Sequence, residues 1–121
     1  KIDSTDYENL VADISRGIMN RASNIVNFEL RFGKNCHISG ASGHEHQIDV
    51  EIKTNETLYL IECKCWDKNV PVDQMLVFFG RMIDIRNNVA EDVVPIFATT
   101  KGYQQGAELI AKKYNIDMQN E

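Results

Sequence analysis

One segment constrains this chain more than any other. Leu58-Tyr-Leu-Ile-Glu62-Cys-Lys64-Cys65 is apolar enough to be a central strand, yet it ends in an acid and a base. Ionised side chains are costly in such a place unless they have a partner or a task. Side chains alternate along a strand, so Glu62 and Lys64 leave the face of Leu58 and Leu60, while Ile61, Cys63 and Cys65 leave the other. Just upstream, Gln47–Lys53 is a second strand candidate, joined to Thr57–Cys65 by the short turn Thr54-Asn55-Glu56. The pair reads as a hairpin. Its first strand carries Asp49 between Ile48 and Val50, and in an antiparallel pair that carboxylate lies within reach of Glu62.

The rest of the chain surrounds this hairpin. Ser4 and the acidic turn Asp6, Glu8 start a helix whose stripe Tyr7, Leu10, Val11, Ile14, Ile18 runs to about Asn20. From Ile25 to Ile38 the pattern turns β-like, with Phe28, Leu30 and Phe32 alternating with polar residues. Ser39–Gly43 reads as a loop leading to His44, Glu45 and His46. After Pro71 a helix is predicted from about Val72 to Asn88, with Met75, Leu76, Phe79, Met82 and Ile83 inward. Val93–Thr99 reads as a strand buried on both faces, although Pro95 favours an edge or a bulge. Tyr103–Tyr114 reads as a last helix with Ala107, Ile110 and Ala111 inward, and Ile116–Met118 as a short final strand. A strand–helix–strand step of this kind implies an α/β sandwich rather than a barrel.

With 121 residues, this is expected to be a single domain, residues 1–121; because it begins at Lys1, either an initiator methionine was removed or the sequence is a piece of a longer chain. No apolar run approaches the roughly 18 residues of a membrane span, so no membrane association is expected. The odd count of three cysteines fits a reducing cytoplasm, and Cys63-x-Cys65 supplies only two of the four ligands of a structural zinc site. A net charge of −5 argues against holding nucleic acid through a broad basic surface. An enzyme that meets phosphate through a metal ion remains compatible with it, because the ion supplies the positive charge.

Two carboxylates and an amine at one point suit a hard cation such as Mg²⁺, which is usually held by one or two carboxylates plus substrate phosphate. An adjacent lysine can then act on an attacking water. The plainer reading is a structural ion pair of Lys64 with Glu62 or Asp49. His44, His46, Ser42, Lys101 and Tyr103 read most simply as solvated loop residues, and Trp66 as a cap on the core.

Ile48-Asp49, twelve further residues and then Glu62-Cys63-Lys64 resemble the PD-(D/E)xK nuclease superfamily, with Ile in place of the motif's proline. Tyr7-Glu8 on an early helix, the Ser-Gly loop, Leu60–Lys64, Val70–Gln74 and Phe97–Ala107 look like the catalytic domain of the Mrr-like restriction endonucleases, over nearly the whole chain. The resemblance implies a restriction-endonuclease-like fold: a three-layer α/β sandwich with a mixed central sheet flanked by helices. It implies a metal-dependent DNA endonuclease in which Asp49, Glu62 and the Cys63 backbone carbonyl hold Mg²⁺, with Mn²⁺ able to substitute. Lys64 would act on the water, Glu8 would assist at the metal, and Gln74 would join the active site. Where Mrr-like domains have a Gly-Asp-Gly-Gly run, this chain has Gly43-His-Glu-His-Gln47. Archaeal Holliday-junction resolvases carry a similar Ile-Glu-Cys-Lys strand but are generally basic, which ranks junction cleavage second; an inactive DNA- or protein-binding copy of the fold is the non-enzymatic alternative. Expected partners are DNA, and a second copy of the chain as a homodimer, a flanking recognition domain or a separate recognition partner.

Overall fold

The computed structural model describes residues 13, 16–17, 29–32 and 36–120. Seven strands are present among them: β1 (Glu29–Phe32), β2 (His37–Ser39), β3 (Glu45–Gln47), β4 (Val50–Lys53), β5 (Thr57–Lys64), β6 (Asp92–Thr99) and β7 (Asp117–Asn120). Two helices, α1 (Val72–Arg86) and α2 (Gln105–Lys113), connect β5 to β6 and β6 to β7. Five strands form one mixed sheet in the order β1-β4-β5-β6-β7, while β2 and β3 form a separate hairpin. The pairings β1–β4 and β4–β5 are antiparallel, and β5–β6 and β6–β7 are parallel.

The expected α/β architecture is therefore observed, with β5 at the centre of the sheet. In that position β5 is buried along most of its length, which its apolar sequence permits. Pro95 sits inside a central strand rather than on an edge. β7 begins pairing opposite Ile96, so the β7 side of β6 is still open at the residue that lacks an N–H.

α1 follows the extended Pro71 and carries Asp73 in its first turn and Arg86 in its last, both favourable to the helix dipole. Its buried stripe is Met75, Phe78, Met82 and Ile85. The expected stripe was offset: Leu76 and Ile83 stay exposed, and Phe78 and Ile85 take the core positions. The offset arises because α1 faces two neighbours. One side meets the sheet, where Phe78 packs edge-on against Phe97, and a second side turns Phe79 toward Tyr114 after α2. α2 presents Ala107 and Ala111, fully buried, and Gly106 lies so near α1 that a Cβ there would sit 3.1 Å from Val72 Cβ. Asn115, with φ of 58°, turns the chain out of α2 toward Ile116 and β7.

Both helices share one core with Leu58, Leu60, Val93 and Phe97 on one face of the sheet. Val50, Ile52, Ile61, Cys63, Ile96 and Ala98 form a second buried cluster on the other. Of the first predicted helix, Asp13, Arg16 and Gly17 are described and are helical. Glu8 lies outside the described residues.

Candidate active site

Asp49 stands where the chain changes partners. Up to Ile48, whose N–H donates to Cys36 O at 3.0 Å, the backbone belongs to the β2–β3 hairpin; from Val50 on, it pairs with β1 and β5. The strand expected over Gln47–Lys53 is thus two strands with a bend at Asp49. At this bend the carboxylate turns onto β5, and Oδ2 accepts the N–H of Cys63 at 2.8 Å. That bond fixes Asp49 beside the residue that follows Glu62.

Glu62 is almost entirely buried, at 6% exposure. Lys64 Nζ lies 3.1 Å from its Oε2, and an Arg81 guanidinium nitrogen from α1 lies 3.6 Å from its Oε1. Burial pushes the Glu62 carboxyl above the usual carboxylate range, and the negative charge of Asp49 pushes it further. Lys64 and Arg81 oppose this without cancelling it. The expected structural ion pair between Lys64 and Glu62 therefore exists, but it does not return the Glu62 carboxyl to its ordinary range: two carboxylates share a partly dehydrated place.

That donor set fits a divalent cation. Asp49 and Glu62 offer hard oxygen ligands, and the Cys63 carbonyl belongs to the residue between Glu62 and Lys64. Among the described residues no three His, Cys, Asp or Glu side chains converge on one point; a hard cation such as Mg²⁺ is commonly held by one or two carboxylates plus waters and substrate phosphate. The Cys63 thiol faces the opposite core, and burial raises it far above a reactive range. Gln74 is half-buried in the first turn of α1, with no hydrogen bond to the pair. Trp66 is half-buried rather than a cap on the core: Lys64 and Lys68 ammonium groups lie 5.3 and 5.1 Å from its ring centroid. Thr99, fully buried on β6, donates to Lys64 O at 3.0 Å, and Thr100 Oγ1 donates to Trp66 O at 3.2 Å, so β6 holds the end of β5 in place.

The family of restriction endonuclease catalytic domains, Mrr_cat, matches residues 1–120. The chain belongs to that family. It is by membership a nuclease domain. Solved structures share its fold, among them the three that follow. A crystal structure of a protein of unknown function, AF1548, is 19% identical with a TM-score of 0.65, covering 85% of this chain and 54% of that one. The structure of an EndoMS–dsDNA complex is 12% identical with a TM-score of 0.59, covering 94% and 44%. A repair endonuclease from Pyrococcus abyssi is 11% identical with a TM-score of 0.56, covering 99% and 46%. The nuclease domain thus spans about half the length of each of these chains. No curated protein matches the sequence.

The nuclease domain also contains a polar cluster that sequence reading missed. Asp84, on α1, accepts Ser42 N–H at 2.9 Å, Ser42 Oγ–H at 2.7 Å and His46 Nε2–H at 2.7 Å. Its backbone carbonyl takes Ala41 N–H at 2.9 Å, and Asn88 Nδ2 donates to Ser39 O at 2.9 Å. Gly40 is required here, since a Cβ would lie 1.9 Å from Asp84 Oδ2. Gly43, with φ of 91°, closes the turn. Ser42 is exposed, as expected of a loop residue, and His46 is half-buried; both are bonded to one carboxylate, and they fasten the hairpin that leads into Asp49. Ser42 and His46 bond separately to Asp84, so this cluster is not a nucleophile–base relay. Tyr103 is also structural, its hydroxyl within 2.8 Å of Phe97 O and 2.7 Å of Gln119 O. Arg81 was missed as well, although it lies seven residues, two helical turns, after Gln74 and so on the same face of α1.

Proposed function

We propose that this domain is a Mg²⁺-dependent endodeoxyribonuclease of restriction type, acting on DNA in the cytoplasm. The observation that carries the reading is the meeting of Asp49 and Glu62 at the end of β5, with Lys64 beside them. Asp49, Glu62 and the Cys63 carbonyl would hold the ion, with Glu8 assisting and Mn²⁺ able to replace Mg²⁺. When bound, such an ion supplies Lewis acidity toward a phosphoryl oxygen and lowers the pKa of a water.

The remaining work falls to the chain's own groups. Lys64 Nζ, an ammonium held 3.1 Å from Glu62, orients the attacking water and stabilises the negative charge that develops as the water's proton passes to solvent. The new bond joins that water oxygen to phosphorus, and the bond to the leaving sugar oxygen breaks, with the proton returning to the leaving group from solvent. Asp49, held by Cys63 N–H, keeps its carboxylate aimed at the centre throughout. Gln74 contributes at the substrate side of α1. A net charge of −5 gives the domain weak intrinsic attraction for DNA, so a homodimer or a flanking recognition domain supplies the rest of the affinity. A dimer would set two active sites against two strands.

The test is nicking of supercoiled plasmid with Mg²⁺ or Mn²⁺ against EDTA, using the parent and Lys64→Ala together. The parent is expected to cut only with metal, and Lys64→Ala to lose about 10²–10⁴-fold in rate with unchanged circular dichroism. Equal cutting by Lys64→Ala would remove Lys64 from the chemistry. A parent that neither cuts nor binds Mg²⁺ would leave a binding module instead.

A further inference from the structure

We propose that Arg81 is a movable counter-ion: it neutralises Glu62 when no divalent cation is held, and it transfers its guanidinium to a DNA phosphate when one is. The inference rests on the function proposed above and adds a residue that the catalytic motif does not include.

The geometry has three parts. Arg81 meets Glu62 Oε1 at 3.6 Å, an ion-pair distance, while Lys64 takes the other oxygen at 3.1 Å. The pairing is therefore loose, and it occupies an oxygen that a cation would need. Secondly, the Arg81 side chain is 36% exposed whereas that of Glu62 is 7% exposed. The carboxylate cannot leave, whereas the guanidinium, on the more exposed side chain, has solvent to swing into. Thirdly, Asp49, Glu62, Lys64 and Arg81 carry two negative and two positive charges, a balanced set in the absence of metal. A divalent cation would leave that set with an excess of two positive charges, and repulsion from the cation then falls on the most mobile partner. A guanidinium so released finds its natural acceptor in a phosphate, which it can meet through two parallel N–H bonds. Cation and DNA would in this way favour each other's binding through one side chain.

The experiment titrates Mn²⁺ into the full chain without DNA, read by electron paramagnetic resonance, for the parent, Arg81→Gln, Arg81→Lys and Glu62→Gln. Duplex binding is then measured by anisotropy in Ca²⁺ across a range of salt. Arg81→Gln is expected to bind Mn²⁺ about three- to thirtyfold more tightly than the parent, because the competing charge is gone. It is also expected to bind duplex more weakly, with the salt slope smaller by about one. Arg81→Lys should keep the parent's Mn²⁺ affinity and lose the two-point grip on phosphate. A merely structural arginine would give the opposite sign, with Mn²⁺ binding unchanged or weakened in Arg81→Gln, and that result would overturn the proposal. If the parent binds Mn²⁺ and Glu62→Gln does not, such a failure belongs to Arg81 alone. If the parent binds no Mn²⁺, this inference and the metal-dependent function fall together.

Discussion

Two carboxylates in this domain, Glu62 and Asp84, have comparable neighbours and opposite fates. Each stands beside a nitrogenous side chain, one on the central strand and one on α1. Asp84 accepts three hydrogen bonds and is 22% exposed at its side chain, and those bonds hold its carboxyl down at about 2. Glu62 is nearly sealed from water, has a second carboxylate beside it, and is pushed upward. The first is a satisfied acid whose bonds fix a loop. The second is raised by burial and by the neighbouring carboxylate, the perturbation expected of a group that receives a partner from outside the chain. Residue type does not separate them; the balance of donors against dehydration does.

Neutralising the carboxylate beside Glu62 and neutralising Asp84 should break the comparison in opposite ways. Asp49→Asn, which removes the charge facing Glu62 but keeps an oxygen for Cys63 N–H, is expected to lose cation affinity by at least the roughly 10–100-fold that even outer-sphere changes cost. Cleavage should fall with it. Thermal unfolding in EDTA is expected to show a melting temperature equal to the parent's or higher, because a buried repulsion has been removed. A large drop in stability with metal binding retained would make Asp49 a structural acid like Asp84.

Much of this was legible in the sequence, for identifiable reasons. β5, the α1 span and the Asp49–Glu62–Lys64 set were readable because apolar runs and alternation are local signals, and so is the cost of charge inside them. The bend at Asp49 was not, since it arises from an exchange of partners between Cys36 and β5 that no local pattern encodes. Asp84 and Arg81 were missed for a related reason. Both read as ordinary polar positions on an amphipathic helix, and only the tertiary fold brings Ser42 to one and Glu62 to the other. Gly40 looked like one of several loop glycines, yet it is the one that touches Asp84.

Gly40 offers a way to disturb the satisfied region alone. Gly40→Ala forces a methyl group into Asp84 Oδ2 and Cγ, at 1.9 and 2.3 Å before relaxation, so the carboxylate must leave Ser42 and His46. Overpacking of this kind costs about 1–3 kcal/mol, measurable by urea unfolding. The hairpin leading to Asp49 would loosen, and cleavage should decline less than in Lys64→Ala. If Gly40→Ala is as stable as the parent, the loop has a second arrangement and Asp84 does not fasten it.

The smallest expected effect is also the most specific to sign. The Asp84 carboxyl is depressed from its ordinary value to about 2 in the folded chain, chiefly by the His46 and Ser42 hydrogen bonds. An acid depressed on folding stabilises the folded state fully at pH above its unfolded value, and that contribution disappears as pH falls from about 4 toward 2. Asp84→Asn should therefore be less stable than the parent at pH 6 to 7, and the gap should close through that acid window. Glu62 acts in the reverse sense, since a raised carboxyl favours the folded state as protons are added. Absolute acid stability mixes the two, so the quantity to follow is the difference between parent and Asp84→Asn at each pH, taken from thermal melts in EDTA. A gap that stays constant from pH 7 to pH 2 would show that the Asp84 bonds hold the loop through shape alone, and that the contrast with Glu62 is not one of charge.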